Sequence, residues 1–239
     1  MDFSACNQYH VSCLTATQCR IGKTEKMKNR CLLIKAVLFD FDGTLTQPGA
    51  LVFPEIKKGI GCPPNMPILE FIAGLENHAD RESAMCILDG FEMVAASISK
   101  PNQGAEELIR QLKRNGVLLG IISRNSKKSI GRAFENFREV GPADFDIIIS
   151  RDVPVPPKPS PEAILYAARK WDISPEHILM VGDFVFDVQS GKNAGALTVW
   201  LNNGVGAQAP APESDFTVET LSEVIDIMRL NFPMEVNAK

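Results

Sequence analysis

The chain has 239 residues, 45% of them hydrophobic, enough to bury a sizeable core as one domain with a modest insertion. Lys+Arg 25 against Asp+Glu 29 gives a net charge of -4, and no long basic run offers the footprint of a nucleic-acid binder. No apolar run approaches the ~18 residues of a membrane span, and residues 1–30 lack the basic-then-apolar order of a signal peptide, so the cytoplasm is the expected compartment. Residues 1–30 read as a disordered leader. They hold three of the six cysteines, with Cys31 directly after them, and Cys6, His10, Cys13 and Cys19 invite a metal reading, but the C-x3-H-x2-C-x5-C spacing matches no closed zinc pattern. Gly22-Lys23-Thr24 has the tail of a phosphate loop without its first glycine, since Thr17 stands there.

From residue 31 the pattern alternates strand and helix. "KAVLFDF" opens it, and short, almost wholly apolar runs recur at 117–123, 145–150, 177–183 and 196–201, as in strands covered on both faces. Between them lie helical stripes: Leu108, Ile109 and Leu112; Ile130, Ala133, Phe134 and Phe137; and Ile164, Leu165 and Ala168 behind a Ser160-Pro161 start. Leu221, Val224, Ile225 and Met228 stripe a last helix. This order predicts an α/β fold, a Rossmann-like parallel sheet with helices on both faces, built from residues 31–46 and 103–239. One interval breaks the alternation. Residues 47–102 hold no strand candidate but two helical stretches, one from Asn65 with Leu69, Ile72 and Leu75, another from Asp80 with Met85, Leu88, Phe91, Val94 and Ile98. They predict a small α-helical cap inserted after the first strand and lying over the carboxyl edge of the sheet.

That edge is where the chemistry collects. The first strand delivers Asp40 and Asp42, the second Ser123, the loop after the third Lys158, and the fourth Asp183, with Asp187 one helical turn on. Like charges gathered at close range repel. A hard divalent cation that accepts carboxylates and bridges to phosphate oxygens resolves the conflict, so Mg2+ is the expected cofactor.

"DFDGTLT", Ser123 in "IISRN", Lys158 in "PPKPSPE" and Asp183/Asp187 in "GDFVFDV" resemble, in order and over residues 34–230, the four motifs of the haloacid dehalogenase superfamily. The small helical insertion is similar to the caps of its phosphoglycolate phosphatase-like branch. The resemblance implies a Mg2+-dependent phosphatase acting on a small phosphorylated metabolite. In it Asp40 is the nucleophile that becomes an aspartyl phosphate and Asp42 the general acid and base; Ser123 and Lys158 stabilise the transferring phosphoryl group. Asp40, the main-chain carbonyl of Asp42, Asp183 and Asp187 would hold the metal. Thr44, Ser123, Asn125 and Lys158 would bind substrate. An aspartate at position 42 favours phosphatase or phosphomutase over dehalogenase or ion pump, and the small cap favours hydrolysis; a monomer or small homo-oligomer is expected.

The alternatives are a mutase of the same fold, or a silent interaction protein whose usual mark, loss of a motif residue, is absent here. The fourth motif departs from the branch: Phe184, Val185 and Phe186 fill the space where a small polar residue usually follows the first aspartate. Arg124 is expected either at the substrate or at a surface helix start, Cys62 as a packed thiol, His177 in a structural place at a strand start, and His78 at a solvated helix end. Gly204 and Gly206 read as a loop.

Overall fold

The computed structural model describes residues 33–203 and 213–231. The expectations for the Cys-rich leader and for Gly204 and Gly206 lie outside these residues.

The first strand, β1 (Ala36–Phe39), is buried along its whole length, so each residue faces one of two cores. Val37 and Phe39 enter the larger one with Leu108, Ile109, Ile130 and Val224. Ala36 and Leu38 enter the other with Ile164, Ala167 and Met180. This two-sided burial is why the strand reads as an unbroken apolar run rather than an alternating one. The sheet runs β3-β2-β1-β4-β5-β6, with β2 Leu118–Ile122, β3 Ile147–Ile149, β4 Ile178–Gly182, β5 Leu197–Leu201 and β6 Phe216–Val218. All its pairings are parallel. The order reverses at β1, whose two neighbours are β2 and β4. In open parallel sheets the crevice at such a switch point is where ligands bind.

The helices of the expected fold follow their strands. Three lie between β1 and the core helix α4 (Ala105–Arg114): α1 (Phe53–Ile60), α2 (Ile68–Gly74) and α3 (His78–Ile98). After β2 come α5 (Lys127–Phe134), α6 (Glu162–Trp171), α7 (Val185–Ala194) and α8 (Ser222–Asn231). The stripes predicted for α4, α5 and α8 are buried, as are Ile164 and Ala168 on α6. The Ser160 hydroxyl accepts the Glu162 N–H at 3.3 Å, although the capping position of α6 falls one residue later than expected, at Pro161. Among the described residues, no helix is long and apolar enough to cross a membrane.

Helices α1–α3 share their own apolar cluster of Ile56, Ile68, Ile72, Ala84 and Leu88. The chain leaves and re-enters the core at one neck, where Thr46 bridges Pro101 and the Asn102 N–H is donated to the Leu45 carbonyl at 2.8 Å. Two expectations need correction here. Helix α3 starts at His78, two residues before the predicted Asp80, because the Asn77 side chain caps it by accepting the Ala79 N–H at 2.9 Å. The large-residue stripe holds only over its first part: Leu88 is buried and Met85 and Phe91 pack against the cluster, but Val94 is 64% and Ile98 65% exposed, and Glu92, Ala95 and Ala96 are buried instead. Small residues let α3 approach the core closely, so residue size misled the reading of its face.

Candidate active site

Beyond β1 the backbone makes one tight turn, Phe41–Leu45, closed by the Thr46 N–H on the Phe41 carbonyl at 2.9 Å. Gly43 takes φ +82° there, a conformation that side-chain-bearing residues resist. Space also requires glycine, because a Cβ would fall inside the Asp183 carboxylate. The Gly43 carbonyl accepts from Asn102 at 3.4 Å and from Asn203, and the Trp200 indole N–H is donated to the Asp183 carbonyl at 3.2 Å. The ends of β1 and β4 are thereby held against each other.

Lys158 organises the floor. Its ammonium is 3% exposed and donates to Asp40 Oδ1 at 2.5 Å, Asp187 Oδ1 at 2.5 Å and the Ile122 carbonyl at 2.9 Å. Burial alone would lower its pKa, but the carboxylates of Asp187 and Asp40 outweigh that and hold it above the ordinary lysine value. Asp187 is engaged at both oxygens, the second accepting the Phe184 N–H at 2.9 Å at the start of α7. Burial pushes its carboxyl up to about 6 against the pull of Lys158. Asp183 accepts the Thr44 hydroxyl at 3.0 Å, and burial, with Asp40 and then Asp187 nearby, pushes it up to about 8.

Asp40, Asp183 and Asp187 each offer an oxygen within 4.8 Å of the others. This hard, crowded donor set, opposed in charge by Lys158, suits a divalent cation that takes oxygen ligands. The Asp42 side chain is not in that cluster; it accepts from Asn125 Nδ2 at 2.5 Å. Burial first, and the neighbouring Asp40 second, push Asp42 up to about 8.

Asp40, Asp42, Ser123, Asn125, Lys158, Asp183 and Asp187 all line one cleft of about 470 Å³ between the sheet edge and the helical insertion. Thr44 is the exception among the expected substrate-binding residues. It is fully buried, and its hydroxyl is committed to Asp183, so it supports a carboxylate instead of facing the cleft. Ser123 is 6% exposed and also accepts the Asn125 N–H at 3.1 Å. Arg124 is not an idle surface residue. It donates to Glu70 of α2 at 3.0 and 2.5 Å and to the Lys158 carbonyl at 2.6 Å, with its guanidinium 5.5 Å from the Phe186 ring centroid. Cys62 is buried, its thiol on the carbonyls of Pro63 and Met66, and burial pushes that thiol up. His177 Nδ1 lies 2.8 Å from the Leu33 carbonyl at the sheet's start, and His78 pairs with Glu82 on the exposed end of α3.

Residue reasoning missed Glu92 and Arg151. Glu92 is 3% exposed, and one of its oxygens accepts the Ser126 N–H at 3.1 Å and the Ser129 hydroxyl at 3.1 Å. Arg151 donates to its other oxygen and also to Asp89. A charged residue four positions after Leu88, on a helix whose neighbours at that spacing are apolar, was the available signal.

A doubly wound parallel sheet with its acidic cluster and lysine at the switch point defines a Rossmann-like α/β enzyme. The chain belongs to the haloacid dehalogenase-like hydrolase family, whose model matches residues 34–195. It is 34% identical to an uncharacterized hydrolase of Saccharomyces cerevisiae, over 82% of this chain and 91% of that protein. It is 26% identical to the N-acetylmuramic acid 6-phosphate phosphatase of Pseudomonas aeruginosa, over 82% of this chain and 95% of the relative. A crystal structure of a putative phosphoglycolate phosphatase from Lactobacillus plantarum shares the fold with TM-score 0.63 at 20% identity, over 82% of this chain and 100% of that one.

Proposed function

We propose that the protein is a Mg2+-dependent phosphatase that hydrolyses a small phosphomonoester through phosphoryl transfer to Asp40, with helices α1–α3 as its cap. The observation that carries this reading is the division of labour between two carboxyls two residues apart: Asp40 paired with Lys158 and Asp42 pushed up to about 8. An ionised carboxylate and a protonated one are what the two halves of the reaction need.

An Asp40 oxygen attacks phosphorus as the bond to the ester oxygen breaks, and Asp42 gives its proton to the departing alkoxide. Asp42, now a carboxylate, takes a proton from the water that attacks the aspartyl phosphate; phosphate leaves and Asp40 is restored. Lys158 and the Ser123 hydroxyl face the charge that spreads over the phosphoryl oxygens, while Asn125 aims the Asp42 carboxyl. Asp187 keeps Lys158 in place from behind. Asp40 and Asp183, with the Asp42 carbonyl and Asp187 beside them, would hold Mg2+, which when bound neutralises phosphate charge.

A relative named for a sugar-phosphate phosphatase supports the small phosphomonoester as substrate class. Phosphate release from a panel of such esters, with and without Mg2+, tests the reading. Release is expected to need the metal and to vanish in Asp40→Asn protein that keeps its fold; equal release by the variant would overturn it.

A further inference from the structure

The walls of the cleft differ in kind from its floor. Leu51, Phe53, Met66, Leu69, Phe184 and Phe186 all line it. Phe53 is 55%, Met66 42% and Phe184 57% exposed, so apolar surface from the insertion and from the fourth motif faces water around one opening. The Phe184 and Phe186 rings meet edge to face, their centroids 5.1 Å apart. Most polar groups on these walls are already engaged. Lys57 donates to the Pro64 carbonyl at 2.5 Å, Arg124 holds Glu70, and Glu92 receives Ser126, Ser129 and Arg151, while the exposed Asn65 side chain is left to solvent. A polyol seated here would have Asn65 to bond, but its other hydroxyls would face hydrocarbon or break existing pairs, a costly exchange. A ring-bearing apolar group would cover exposed aromatic surface with no such loss, and pockets of about 300–1,000 Å³ with apolar walls and a few polar anchors are the usual form of such sites.

Resting on the phosphatase reading, we infer that the substrate's alcohol portion is an apolar, ring-bearing group, stacked on Phe184 and Phe186 and covered by Phe53 and Met66, while its phosphate meets the floor. The unusual "FVF" of the fourth motif is then a specificity element. The Phe184 backbone N–H, not its ring, makes the loop's bond to Asp187, so the ring is free of that structural duty.

The test compares benzyl phosphate with glycerol 3-phosphate, both esters of primary alcohols, so that leaving-group chemistry stays similar. For the unaltered protein, kcat/KM for benzyl phosphate should exceed that for glycerol 3-phosphate at least about tenfold, the scale on which an apolar pocket discriminates. In a Phe53→Ser, Phe184→Ser double variant that ratio should shrink to about threefold or less. Equal or better turnover of glycerol 3-phosphate, still abolished by Asp40→Asn, would overturn this inference and leave the phosphatase reading standing. If neither ester turns over, the phosphatase reading falls for both. Calorimetric binding of the two esters to Asp40→Asn protein then decides the wall separately, and binding of benzyl phosphate no tighter than glycerol 3-phosphate would overturn it.

Discussion

The floor and the walls of one cleft follow opposite rules. On the floor, charged groups are enclosed and fixed by specific bonds: Lys158 by two carboxylates and a carbonyl, Asp187 by Lys158 and a backbone N–H, Asp183 by Thr44. On the walls the surface is apolar and partly exposed, and it is tied to the core by arginines at the ends of two adjacent strands, Arg124 to α2 and Arg151 to α3. Over-determined groups keep their geometry through a reaction, as stabilising a transition state requires. Walls held by a few ion pairs can be changed without disturbing that geometry. On the proposed reading, the difference separates where chemistry resides from where selection among substrates resides.

The largest effect should come from the floor's hub. Lys158→Met leaves Asp40 and Asp187 buried without their cation, which costs about 3–5 kcal/mol of stability and removes phosphate release. Denaturant unfolding alongside the activity assay checks this, and a variant near parental stability would break the contrast. Gly43→Ala should come next. The left-handed backbone alone costs about 1–2 kcal/mol, and the added methyl must displace the Asp183 carboxylate, so the Mg2+ concentration for half-maximal activity should rise at least about tenfold.

At the wall, Arg151→Ala removes the partner of buried Glu92 but leaves Ser126 and Ser129 in place. A loss of about 2 kcal/mol with KM changed more than kcat is expected, read from unfolding and steady-state kinetics. The smallest effect is a pH dependence of the floor in chelated protein. Asp183 binds its proton more tightly folded than unfolded, since its pKa rises from 3.8 to about 8. Its contribution is therefore full below the unfolded value and lost as pH rises through about 8. From about pH 7 to about pH 9 the melting temperature in chelator should fall by a few degrees, and added Mg2+ should restore it at the alkaline end.

Much of the floor was legible in the sequence because chemistry constrains it locally. Asp40, Asp42, Ser123 and Asp183 sit just past apolar runs, Lys158 in the loop after another and Asp187 one helical turn on, and a parallel sheet brings all such ends to one edge. The walls were less legible. Helix α1 was missed because Pro54, Gly59 and Gly61 break its pattern and only Ile56 of its residues is buried. Strand β6 was missed because three residues, Phe216–Val218, carry too little periodicity to read. Glu92, Arg151 and the Glu70–Arg124 pair are contacts between residues far apart in the chain, which spacing alone does not reveal. The same holds for Thr44, whose hydroxyl looked available for substrate until Asp183 took it.

The central claim is that the carboxyl edge of this sheet carries out phosphoryl transfer to Asp40. Acid quenching during turnover with Mg2+ and a cleavable phosphomonoester, followed by peptide mass analysis, tests it most directly. One phosphoryl group is expected on Asp40 of the peptide "KAVLFDFDGTLTQPG", present in the quenched protein and missing from Asp40→Asn protein. Turnover with no phosphoryl group trapped on Asp40, at quench times shorter than one catalytic cycle, would contradict it.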